Sequence, residues 1–233
     1  VRFRRSRSAE RHDATRVWAV CSVLLDYPTE ELVSSLDDLE ALVPDHPDLA
    51  GLIDHVRRTP LAELQQDYVA TFDHTRKCAL YLTYFAYGDT RRRGAALVQF
   101  KEAYRRAGVE WVEDHGELPD HLCAVLQLGA TVDGDVAREL LEDHRAGVEM
   151  LRLALSGWRN DDGSTGSPWA AALRAVCGTL RDLVGEEAEA VRRLVEQGPP
   201  AEEVGLSGYG ADPALTGGPA LIATANIPVG APR

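Results

Sequence analysis

Apolar residues recur at three- and four-residue steps along nearly the whole chain, a spacing that gathers them on one face of an α-helix. Leu61, Leu64, Tyr68 and Phe72 keep that step, as do Val17, Cys21, Leu24 and Leu25, and again Leu97, Phe100 and Tyr104. No run alternates β-branched residues between turn signals, so no strand is predicted. Punctuation supports the same reading. Pro28-Thr29-Glu30-Glu31 opens a helix with acids in its first turn, running to about Leu42. Pro44 and Pro47 interrupt before a helix to about Arg57, and Pro60 takes the first position of the next. A helix over residues 10–26 precedes these. Leu118-Pro119-Asp120 starts another, residues 133–158 form a long one, and a Gly/Ser/Asp-rich linker at 160–168 leads to helices at about 168–183 and 186–196. The fold class is all-α, a single bundle of about eight or nine helices.

Domain organisation follows from composition. Residues 1–9 read as a disordered arginine-rich leader, 10–197 as the helical domain and 198–233 as a flexible Pro/Gly-rich tail. The formal net charge is −12, yet residues 1–16 hold six arginines against Glu10 and Asp13, a local +4 that leaves −16 on the remainder. An acidic body repels nucleic-acid phosphates and suits a basic peptide better. Arg4-Arg5 suggests an export signal, but the polar run AERHDATR separates it from the apolar stretch Val17 to Leu25, which is too short to span a bilayer. A cytoplasmic protein is expected. Cys21, Cys78, Cys123 and Cys177 lie more than forty residues apart with no CxxC pair, which disfavours a zinc or iron–sulfur site and fits buried free thiols in a reducing compartment.

The densest information lies between Tyr81 and Val109. Tyr81, Tyr84, Phe85 and Tyr87 place four aromatics within seven positions, and Gly88 can end a helix before Asp89 or Thr90 caps the next. Arg91, Arg92 and Arg93 then occupy a first turn, where cations oppose the helix dipole at about 0.3–1 kcal/mol each. Two readings stand beside each other: solvated or carboxylate-paired side chains, or contacts to an acidic or phosphate-bearing group. In the preceding helix, Tyr68, Phe72 and Asp73 end with two rings on one face beside a carboxylate. Such rings are usually core; left open, the face forms a groove for an amphipathic peptide.

Catalytic patterns are missing from the sequence. None of the seven histidines forms HExxH or HxxxH, and there is no G-x-S-x-G, P-loop or GxGxxG. Asp120 and His121 are adjacent, but helix neighbours point about 100° apart, so adjacency does not make them a dyad. As a helix first-turn anion, Asp120 would be favourable to the dipole.

Three segments carry a family resemblance: LLDYPTEEL, DYVATFDHTRKCALYLTYFAYGDTRRRGAALVQFKEAYRRAG and ELPDHLCAVLQL, with a shorter likeness in SPWAAALRAVCGTL. Over roughly residues 15–183 the chain resembles the nitrate reductase molybdenum-cofactor assembly chaperones of the NarJ type, within the TorD/DmsD-like redox-enzyme maturation group. The resemblance implies a cytoplasmic helical chaperone that is not an enzyme and carries no metal or cofactor of its own. Its implied partner is the apo catalytic (alpha) subunit of a respiratory nitrate reductase, bound at its N-terminal segment. That subunit would be kept competent for molybdenum-cofactor and iron–sulfur insertion before membrane docking. By position, the resemblance places the peptide site at Tyr68, Phe72 and Asp73 and at Glu117, Pro119, Asp120, His121, Leu122, Val125 and Leu126. Leu122, Val125 and Leu126 would supply apolar contact, Asp120 and Glu117 would receive a basic residue, and His121 would make contact pH-dependent. Relatives usually end this motif in a glutamate and an aromatic; Gln127 and Leu128 stand here instead. Two alternatives remain open: a helical protein that itself binds the phosphate-bearing cofactor through Arg91, Arg92 and Arg93, or a small hydrolase using Asp120 and His121.

Overall fold

A computed structural model describes residues 7–88, 90–112, 116–160, 163–186, 188, 189, 191 and 193. The chain divides at 201/202, and every element below belongs to its first part. Among the described residues there are eleven α-helices and no strand, which bears out the all-α reading. The expected tail and residues 1–6 of the expected leader fall outside the described residues, as does part of the helix expected at 186–196; residues 7–9 of that leader are not disordered but already belong to the first helix.

The helix count exceeds expectation because two segments break where local spacing alone runs on, at Ser35 and at His144. The first helix, α1, spans Arg7–Leu24. The segment after Pro28 forms α2 (Glu30–Ser34) and α3 (Leu36–Leu42), divided at Ser35. The Thr29 hydroxyl accepts from Leu32 N at 3.2 Å and caps α2, as the Pro-Thr-Glu-Glu signal implies. Then come α4 (Pro47–Arg58), α5 (Leu61–Tyr68) and, directly from α5, a π-helical turn over Val69–Asp73. A four-residue helix, α6 (Tyr84–Tyr87), ends at Gly88, whose φ of 56° lies in the left-handed region that only glycine adopts without strain. It is followed by α7 (Arg91–Arg106), with Thr90 at the cap position but making no side-chain capping bond. The long helix expected over 133–158 is α9 (Gly134–Asp143) and α10 (Arg145–Ser156), broken at His144; α11 is Ala170–Gly178.

The centre of the bundle is α8 (Leu122–Thr131). Its sequence LCAVLQLGAT is apolar nearly all round, the pattern of a helix enclosed by others. Leu122, Val125 and Leu126 have no exposed surface, and α1 and α9 pack along it. Trp18 of α1 meets α8 at Gly129, while Asp26 beyond the end of α1 shares a cleft with His121 before α8. The two helices therefore run in opposite directions. The Trp18 indole donates to the Thr179 hydroxyl at 2.8 Å, which satisfies its buried N–H. Helix α11, rich in alanine, lets α1, α4 and α10 approach closely. On α4, Leu49, Leu52, Ile53 and Val56 face inward at helical spacing.

Candidate functional site

Tyr68 and Phe72 lie on the face that periodicity predicts, with ring centroids 4.7 Å apart. Two residues distant in sequence complete the cluster: Trp169 sits 5.8 Å from Tyr68 and 5.4 Å from Phe72, and Tyr27 meets Tyr68 edge-on at 5.5 Å. Tyr68 and Phe72 are buried, the Tyr68 hydroxyl donating to the Leu25 carbonyl at 3.1 Å, whereas Tyr27 is 44% exposed. The π turn carries the chain from Tyr68 past Phe72 and leaves Asp73 exposed at the mouth. Single π turns of this kind are common at functional sites.

Opposite this cluster stands an extended bridge between residues 80–82 and 120–122. Leu82 N donates to Asp120 O at 3.0 Å and Leu122 N donates to Leu80 O at 2.7 Å. This pairing holds His121 extended (φ −64°, ψ 128°) and delays the start of α8 to Leu122. The helix expected to start at Leu118-Pro119-Asp120 therefore starts later, and Asp120 is not a first-turn anion. Across the bridge, the Tyr81 and His121 rings lie 5.3 Å apart. The Tyr81 hydroxyl donates to Glu117 Oε2 at 3.3 Å, and His121 Nε2 is 3.9 Å from the same oxygen. Burial, reinforced by Glu117, pushes the Tyr81 phenol up to about 12. Burial also lowers the His121 pKa, against the opposing pull of Glu117, Asp26 and Asp120. Together Asp26, Tyr27, Tyr68, Phe72, Asp73, Tyr81, Glu117 and His121 surround a cleft of about 230 Å³.

The structure brings Tyr68, Phe72, Asp73, Glu117 and His121 into this one cleft and sends the other named residues elsewhere. Leu122, Val125 and Leu126 are fully enclosed in the core, because α8 is covered on that side, and present no surface to a peptide. Pro119 is buried. Asp120, with no exposed surface, faces inward: its Oδ2 accepts from Thr83 N at 3.1 Å and from Thr83 Oγ1 at 2.5 Å, with Arg93 3.7 Å away. Its Oδ1 has no hydrogen-bond partner among the described residues. Asp120 and His121 thus serve different surroundings and do not form a dyad. Arg93 turns the same way, donating to Thr83 Oγ1 at 3.2 Å and covering the Tyr81 and Tyr84 rings, while Arg91 and Arg92 are exposed. Of the aromatic run, Tyr84 and Phe85 are buried and Tyr81 alone lines the cleft.

The sequence reading passes over Tyr27, Asp26 and Trp169 as site residues. Tyr27 and Asp26 stand within the LLDYPTEEL segment, so a signal was present; Trp169 joins only through the tertiary fold. Among the described residues no three His, Cys, Asp or Glu side chains group as a metal site, and no helix is long and apolar enough to cross a membrane.

Comparison with known proteins bears on this geometry. The pattern that defines the family described as nitrate reductase delta subunit matches residues 35–160. A Bacillus subtilis protein described as a nitrate reductase molybdenum cofactor assembly chaperone, NarJ, is 31% identical over 177 residues, covering 73% of this chain and 91% of its own. The nitrate reductase-like protein NarX of Mycobacterium tuberculosis is 37% identical over 173 residues, or 73% of this chain; the chain spans only 25% of that relative's length. A solved structure from Archaeoglobus fulgidus, described as a redox enzyme maturation protein, superposes with a TM-score of 0.53 at 19% identity. It covers 76% of this chain and 96% of that one, and shows a shared fold. A family pattern matched over more than half of the sequence, with nearly the whole of NarJ aligned, means that the chain belongs to the nitrate reductase delta subunit family, among the NarJ-type maturation chaperones.

Proposed function

We propose that this protein is a dedicated assembly chaperone for a respiratory nitrate reductase. It binds the apo catalytic subunit at its N-terminal segment, in the cytoplasm, and keeps that subunit competent for molybdenum-cofactor and iron–sulfur insertion before membrane docking. It acts by binding and release, without turnover and without a cofactor of its own. The observation that carries this reading is the cleft itself: an open aromatic pocket with an exposed Tyr27, rimmed by Asp26, Asp73, Glu117 and His121, in a chain that aligns with nearly all of NarJ. Aromatic walls with a few polar rim groups are what peptide anchors require. The separation of Asp120 from His121 leaves the hydrolase reading without its dyad, and the inward turn of Arg93 weakens the three-arginine phosphate grip.

Calorimetric titration with the N-terminal peptide of the host's nitrate reductase catalytic subunit tests this. Saturable binding is expected for the native peptide and not for a scrambled one. Tyr27→Ala, an exposed position that the fold tolerates, should weaken binding by about fivefold or more, the cost of losing an aromatic anchor. Equal binding of native and scrambled peptides, or of neither, would refute the proposal.

A further inference from the structure

Helix α7 reverses the charge of the molecule it belongs to. Residues 91–106 carry five arginines and one lysine against the single carboxylate of Glu102, a local +5 that leaves −17 on the remainder. The fold sorts these cations by direction. Ala96, Phe100, Ala103 and Tyr104 turn one side of the helix into the core, and Arg93 follows them, over the Tyr81 and Tyr84 rings. Arg106 reaches across to Glu139 at 3.1 Å. Arg91, Arg92 and Arg105 are exposed, as are Gly94, Ala95, Val98 and Glu102. At about 100° per residue, Arg91, Ala95, Val98, Glu102 and Arg105 fall on one ridge opposite the buried side, about 21 Å long.

Shape and composition both narrow what this ridge meets. A Cβ added at Gly94 would find nothing within 4 Å, so no wall rises beside the middle of the ridge. A small anion needs a concave seat with converging donors, and a peptide needs a groove. A broad anionic surface needs neither. The centre of the ridge is apolar, Ala95 and a 53% exposed Val98, and exposed arginines stand at both ends. That order fits the edge of a bilayer, where apolar groups meet the acyl boundary and guanidinium groups stay among the phosphates. The acidity of the other faces does not cancel the attraction, because charge farther away than about 8 Å is largely screened at physiological salt. Among the described residues no helix is long and apolar enough to cross a membrane, so the contact is peripheral.

We infer that the outer ridge of α7 is a docking face for anionic phospholipid, which brings the loaded chaperone to a membrane surface. Arg91, Arg92 and Arg105 hold headgroup phosphates, and Ala95 and Val98 rest at the boundary between them. Each exposed cation adds roughly fivefold to partitioning onto an anionic surface. The ridge shares no residue with the aromatic cleft, so a client in the cleft does not consume it. The delivery role rests on the chaperone reading above; the lipid contact stands on the charge and shape of α7.

Co-sedimentation of the whole chain with lipid vesicles tests the contact. At about 50 mM salt the wild type is expected to bind vesicles of mixed phosphatidylglycerol and phosphatidylcholine at least about tenfold more strongly than pure phosphatidylcholine, and about 500 mM salt should release it. Arg91→Glu/Arg92→Glu/Arg105→Gln should lower partitioning by about tenfold or more, and Val98→Glu by about fivefold. Both variants replace exposed side chains and should keep the wild-type melting temperature and peptide affinity. Inorganic phosphate at matched ionic strength should not compete. Equal binding to neutral and anionic vesicles, or an arginine variant that partitions like wild type, would overturn the inference and leave the chaperone reading standing. Release by inorganic phosphate would also overturn it, by showing a discrete anion site. So would an arginine variant that keeps its vesicles but loses the apo-subunit, which would make the ridge a face for an acidic protein. A wild type that binds vesicles but no peptide would remove the chaperone reading and leave the lipid contact.

Discussion

Asp120 shows how far adjacency in sequence can mislead about role. Next to His121, which lines the cleft, it spends its carboxylate on the backbone and hydroxyl of Thr83 and on the approach of Arg93, so it ties the segment before α6 to the approach of α8. A buried carboxylate held by its partners leaves them unsatisfied when it is removed. Asp120→Asn is therefore expected to cost about 2–4 kcal/mol, read as a lower urea midpoint. If the folded fraction binds the peptide with wild-type affinity, Asp120 is a structural tie; weakened binding with unchanged stability would make it a direct contact. Tyr68 and Phe72 are the opposite case. Their spacing of four was legible, and the structure keeps both rings together. That Trp169 closes the cluster was not legible, because nothing local links positions a hundred residues apart.

At the scale of elements, the packing of α1, α8 and α9 turns on one small residue. A Cβ added at Gly129 would lie 2.5 Å from the Trp18 ring and 2.7 Å from the Ala137 Cβ, so three helices meet where only hydrogen fits. Gly129→Ala gains helix propensity of about 1 kcal/mol but must separate Trp18 from α9, and overpacking of this kind costs about 1–3 kcal/mol. The net expectation is a loss of stability. Gly94→Ala on α7 carries the same propensity gain with nothing within 4 Å of the new Cβ, and should stabilise by up to about 1 kcal/mol. Thermal melts of the two variants should shift in opposite directions; a Gly129→Ala protein as stable as wild type would show that Trp18 can move aside. The same scale explains the late start of α8. Helical spacing extends back to Leu118, but the pairing of 80–82 with 120–122 takes the backbone groups a further turn would need.

For the whole molecule, acid is expected to destabilise through buried histidines. Burial lowers the pKa of His121, partly offset by Glu117, and that of His144, partly offset by the Leu140 carbonyl, from the ordinary 6.5. Unfolding returns both to about 6.5, so below that pH the unfolded chain binds more protons than the folded one. Stability is then full above about 6.5 and declines as pH falls through it toward the folded-state values, by at most about 1.4 kcal/mol per pH unit for each histidine. Urea midpoints should drop between pH 7.5 and 5.5, and His121→Asn/His144→Asn should flatten the profile. Relief of the −12 net charge acts in the other direction, but belongs mainly to lower pH, where exposed carboxylates protonate. A midpoint that climbs over the 7.5 to 5.5 window would contradict the prediction.

The sequence by itself determined what is local: the helical class, the cap at Thr29, the break at Gly88, the inward face of α4 and the shared face of Tyr68 and Phe72, each set by spacing or by a few neighbouring bonds. It also determined the acidic balance, which is a sum over residues and needs no fold. Only the tertiary structure decided which side of α8 meets water, enclosing Leu122, Val125 and Leu126 while leaving Gln127 and Thr131 exposed. Only it chose between neighbouring acids, burying Asp120 against Thr83 and leaving Glu117 and the distant Asp26 on one surface. Periodicity fixes the relative directions of side chains on one helix, but burial depends on which other segments arrive against each face. Those segments lie far away along the chain.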